Sequence, residues 1–90
     1  MLEVLRAEYV EAYKIRVFLN NGEEGVVDLR ESLWGPVFEP LKDVSAFARF
    51  TVSEAFHTVC WENGADFAPE FLREKLIEQT HAAGAGVSRR

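Results

Sequence analysis

Four residues within one short stretch, His57, Cys60, Glu62 and Asp66, are of the types that ligate metal ions or support thiol chemistry. A zinc site needs nitrogen and sulfur ligands converging on one point, and a cysteine nucleophile needs a base within hydrogen-bond reach. The run Thr58-Val59-Cys60-Trp61 is rich in β-branched and aromatic side chains and predicts a strand. Residues three apart on a strand project from opposite faces, so His57 and Cys60 cannot share an ion unless the strand breaks between them. The second histidine, His81, falls in a Gly-containing C-terminal stretch. Cys60 therefore reads as a small sheet residue, cysteine being among the most buried types. We expect no catalytic residue, no metal site and no cofactor.

Glu62, Asp66 and Glu70 are spaced four apart and would align on a continuous helix, an arrangement suited to paired catalytic carboxylates. Asn63-Gly64 and Pro69 deny that helix, because the first pair favours a turn with positive φ and a proline inside a helix breaks it. Asp66 is instead expected to bond backbone N–H groups of the turn. Trp61 reads as core. Trp34 lies beside Gly35-Pro36 in a segment that cannot be regular helix, where an exposed aromatic would serve a partner. The residues we single out for binding are Trp34 and Phe38 in that segment, with Glu62, Asn63 and Asp66 around the second turn. The two glycines of Asn20-Asn21-Gly22-Glu23-Glu24-Gly25 join strands and open no helix, which excludes a phosphate loop.

The elements that position these residues follow from periodicity and punctuation. Residues 2–10 alternate loosely as an edge strand, with Leu2, Val4, Arg6, Glu8 and Val10 on one face. Tyr13, Ile15, Val17 and Leu19 alternate with Lys14, Arg16, Phe18 and Asn20 at a clean period of two. The Asn21-Gly22 turn sends the chain back through 24–29, making a hairpin. Asp28 and Asp43 are acceptors suited to capping short helical turns. A strand at 50–52 and a returning one from Phe56 or His57 to Trp61 form a second hairpin. Pro69 suits a first helical position, and Phe71, Leu72 and Leu76 give a helix over 69–79 its apolar side. The prediction is an α+β fold: a mostly antiparallel sheet of about five strands in two hairpins, with short helices and a C-terminal helix packed on one face.

Ninety residues, 48% of them hydrophobic, suffice for one core and one domain, which we place at 1–80 with a flexible tail at 81–90. A single cysteine permits no intrachain disulfide, and no stretch suits a membrane span or a secretory signal, so a cytoplasmic location is expected. Fifteen acids against ten bases give a net charge of −5, which opposes binding to a phosphate backbone.

The run 13–28, followed by Gly35-Pro36-Val37-Phe38-Glu39-Pro40-Leu41, Phe47 and Val59-Cys60-Trp61-Glu62-Asn63-Gly64-Ala65-Asp66, resembles the bacterial family catalogued as domain of unknown function 2442. The resemblance covers roughly residues 10 to 76 and implies a small bacterial α+β domain with no established activity, cofactor or catalytic residue. It also implies a setting like that of toxin and antitoxin pairs, because members are often encoded beside another small protein. Some carry a further helix-turn-helix segment; the stretch after Leu76 is too short and Gly-rich for one, so nucleic acid is not expected as a ligand of this short form. The function expected is a non-catalytic, antitoxin-like module that binds a small protein partner or itself as a weak homodimer. Two surfaces suit that role, the first strand and the 34–38 loop. The alternative is a small-ligand protein or enzyme with a site between the Trp34 loop and the Asn63-Gly64 turn.

Overall fold

The computed structural model describes the backbone of residues 1–88 and the side chains of residues 1–79. The chain runs through β1 (Val4–Glu11), β2 (Lys14–Leu19) and β3 (Glu24–Asp28), then two 3-10 turns at Arg30–Ser32 and Glu39–Lys42. There follow α1 (Val44–Phe47), β4 (Thr51–Val52), β5 (Val59–Cys60) and α2 (Pro69–Ser88). The fold is α+β and its strand pairs are antiparallel, as expected, with the five strands divided into a sheet β1-β2-β3 and a sheet β4-β5. The sheets meet where Val4 N–H donates to the His57 carbonyl at 2.9 Å, one bond where a continuous sheet would have a ladder.

Strand β2 keeps its period: Ile15, Val17 and Leu19 are buried, and Lys14, Arg16 and Phe18 between them are half-buried. Strand β1 does not. Its register to β2 shifts between Val4 and Arg6 and again between Tyr9 and Glu11. A bulge moves the following side chains to the other face, so Val4 is buried and Ala7 packs on the core, while Arg6 and Glu8 are exposed. The single face expected for Val4, Arg6, Glu8 and Val10 is thereby corrected.

Two turns use one device. Leu19 N–H donates to Glu23 O at 2.8 Å, and Gly22 N–H donates to Leu19 O at 3.1 Å. Trp61 N–H donates to Ala65 O at 2.9 Å, and Gly64 N–H to Trp61 O at 3.0 Å. Gly22 and Gly64 both stand at φ 93°, and the preceding Asn21 and Asn63 each accept, through Oδ1, the N–H two residues on at 3.0 Å. These are three-residue hairpin loops closed by a left-handed glycine. The second loop brings Asp66 back beside Cys60 in an antiparallel bridge.

The core is aromatic at its centre. Phe47, fully buried, meets Tyr13 edge-on with ring centroids 5.4 Å apart, and lies 5.7 Å from Trp61. Trp61 Nε1–H donates to the Phe47 carbonyl at 2.9 Å, which satisfies the indole inside the core. Helix α2 begins at Pro69 as expected, and Asp43 caps α1 by accepting Ser45 N–H at 3.2 Å. Leu72 and Leu76 are buried under the sheet. The helix reaches Ser88, beyond the end expected near Gln79, because no proline follows Pro69 and glycine at 84 and 86 only weakens a helix. Arg89 and Arg90 of the expected flexible tail, and the side chain of His81, lie outside the described residues.

Candidate binding clefts

The 34–38 loop is shaped by its neighbours in sequence. Leu33 is buried, which turns the next side chain outward, and Trp34 is 74% exposed. Gly35 stands at φ 93°, and its carbonyl accepts the N–H groups of Phe38 at 3.1 Å and Glu39 at 3.0 Å. Pro36 and Val37 form the tip of that turn. Asn63 Nδ2–H donates to the Val37 carbonyl at 2.9 Å, so the loop is tied to the Asn63-Gly64 turn, the two segments between which the alternative small-ligand site is expected.

The five candidate residues do not form one site. Trp34, Phe38 and Asp66 line a cleft of about 390 Å³ together with Phe67, Phe71 and Lys75. Its floor is a stack: Phe38 on Phe67 at 4.8 Å between centroids, and Phe67 on Phe71 at 5.2 Å. Glu62 and Asn63 line a second cleft of about 510 Å³, with Arg49, Thr51, Cys60 and Trp61. Sequence reasoning missed Phe67, Phe71 and Arg49. Phe71 belonged to the apolar side of a helix and so read as core, whereas it is half-buried and reaches the surface.

Asp66 was expected to bond the backbone of its turn, and Asn63 does so instead. The Asn63 carbonyl sits two residues before the N–H to be satisfied, whereas Asp66 comes after the turn has closed. The returning strand starts at Val59, so His57 is not on it; His57 is exposed in a left-handed turn at φ 55°. Cys60 is half-buried, with Sγ 3.6 Å from the Thr51 hydroxyl, a group too weakly basic to activate a thiol. Among the described residues, no group of three or more His, Cys, Asp or Glu side chains is gathered where a metal ion could be held. No helix among them is long and apolar enough to cross a membrane.

Both expected assembly surfaces present apolar side chains. On β1, Val4 is buried and its N–H is bonded to the His57 carbonyl, whereas Leu5, Tyr9 and Val10 farther along the strand are exposed. The 34–38 loop presents Trp34 and Val37 to solvent.

The fold and these clefts define a small α+β domain whose most exposed aromatic stands beside an apolar groove. The chain belongs to the family described as "Protein of unknown function (DUF2442)", which it matches over residues 4–78. Among curated proteins none matches significantly. Among solved structures, a protein of Nitrosomonas europaea described as a putative DNA binding protein is similar, at 28% identity and a TM-score of 0.65 over 93% of this chain. The chain spans 52% of that protein's length.

Proposed function

We propose that the protein is a non-catalytic protein-binding module whose contact surface is the 34–38 loop and the cleft beside it. The observation that carries this reading is Trp34, a tryptophan 74% exposed above a groove floored by Phe38, Phe67 and Phe71. Aromatic anchors beside apolar pockets are where interfaces concentrate their energy. The partner is a small protein, with the antitoxin-like pairing implied by the family resemblance as the preferred case and a second copy as the other. Trp34→Ala tests it. Capture from native lysate should yield a protein retained by the wild type and lost from the variant, with the melting midpoint unchanged. Absence of any Trp34-dependent partner, and of self-association at micromolar concentration, would remove the reading.

A second reading is a small-ligand site in the larger cleft, favoured by its volume and by the polar groups of Arg49, Thr51 and Asn63 on its wall. Arg49→Ala would then abolish ligand-induced stabilisation while Trp34→Ala would not. DNA binding, as named for the Nitrosomonas protein, is less favoured for this chain. A net charge of −5 and ion pairs that commit Arg6, Lys14, Arg16, Lys42, Arg73 and Lys75 leave few bases for phosphates. Salt-dependent anisotropy with a random duplex distinguishes this case.

A further inference from the structure

We propose that the cleft beside Trp34 takes a cationic side chain, an arginine or lysine on the surface of the partner protein; this rests on the reading of the chain as a protein-binding module. The chain's own cations already show the preference of its aromatic faces. Arg6 lies over the Phe18 ring at 4.1 Å, Arg30 over Tyr13 at 4.8 Å, and Lys75 over Phe71 at 5.6 Å. Among the described residues no cation lies over Trp34 or Phe38. Tryptophan is the strongest of these rings toward cations, and Trp34 is the most exposed of them in the cleft.

The charges around the groove select the same occupant. Glu31 and Asp66 line it, and among the described residues neither has a base within ion-pair distance. The base of the cleft, Lys75, is engaged with Glu78 at 3.5 Å and with the Phe71 ring. A purely apolar occupant would strip water from both carboxylates without replacing it, and an anion would be repelled. A guanidinium or ammonium group satisfies the carboxylates and the indole face together. The chain's net charge of −5 steers a basic partner toward it.

The test uses the full chain, isotopically labelled, with the Trp34 indole N–H followed by NMR. The probes are acetyl-Ala-Arg-Ala-amide and the same peptide with citrulline, which keeps the shape of arginine and lacks its charge. The arginine peptide should shift the Trp34 signal with an affinity about ten-fold above that of the citrulline peptide, and less so at high salt. Glu31→Gln with Asp66→Asn should weaken it by about ten-fold, and Trp34→Ala, followed through the backbone N–H of Phe38 in both proteins, should abolish it. Both acids are exposed; if the double variant is unstable, Glu31→Gln alone gives the comparison. Equal shifts from the two peptides, or none from either, would overturn the inference. If a Trp34-dependent partner is captured equally by the wild type and the Glu31→Gln/Asp66→Asn variant, the cationic occupant is wrong and the binding module stands. If no such partner exists, the module reading is what has failed.

Discussion

Gly64 stands at φ 93°, and no atom lies within 4 Å of the place a Cβ would take. Any cost of substituting it is therefore backbone strain. Gly64→Val should destabilise the fold by more than about 1 kcal/mol, since a β-branched residue enters the left-handed region at a penalty. Denaturant unfolding measures it, and equal midpoints would remove the explanation. The Glu23 carboxylate is a second local case. Arg73 holds it through Nε to Oε1 at 2.6 Å and Nη2 to Oε2 at 3.3 Å, and Asn21 Nδ2 adds a bond at 2.8 Å. These bonds, that of Arg73 first, hold its pKa below the usual carboxylate value of 4.5. The folded state then binds this proton less readily than the unfolded chain does, so the stabilisation is present above 4.5 and is lost as pH falls through the lower folded value. Melting curves across the acid range should show wild type losing its advantage over Glu23→Gln there, and parallel profiles would contradict it. The Asn-Gly turn was legible in the sequence because its chemistry spans a few residues. The partner of Glu23, fifty residues away, was not.

Helix α2 and strand β3 are fitted to one another at two points. Gln79 accepts Asp28 N–H through Oε1 at 3.0 Å and donates from Nε2 to Asp28 O at 3.1 Å, so a helix side chain completes the strand's edge as another strand would. Gly25 sits opposite Leu76, and a Cβ there would fall 2.5 Å from Leu76 Cδ1. Gly25→Val should cost roughly 1–3 kcal/mol by overpacking. Leu76→Ala opens the space, so the double variant should be less destabilised than the sum of the two single ones. Strict additivity in unfolding free energies would show that Gly25 is not there for the helix. The apolar stripe of α2 could be read from spacing alone; the need for a glycine on β3 arises only when the two elements meet.

For the molecule as a whole, stability and recognition should separate at Trp34. Its side chain lies outside the core cluster that contains Phe47, Trp61 and Leu72, and it is largely solvated. Trp34→Ala should change unfolding free energy by no more than about 0.5 kcal/mol, as surface substitutions do, while removing the aromatic anchor of the cleft. A large loss of stability would mean that the loop is structural. Val4, on the other candidate surface, is buried, so Val4→Lys would report folding before it reported assembly.

The sequence by itself determined the elements whose rules are short-ranged: the period of two in β2, the Asn-Gly turns, the proline at the start of α2, the aspartate cap of α1. It also placed Trp61 in the core. Only the tertiary structure decided that β1 bulges at Leu5, that five strands form two sheets, and that the five candidate residues divide between two clefts. A bulge adds a residue without altering composition, so alternation cannot locate it. The cleft beside Trp34 draws its walls from residues 31–38 and 66–75, segments with no pattern in common. Burial of Leu33, Phe47 and Leu72 in one core brings those segments together, and that contact exists only once the chain has packed.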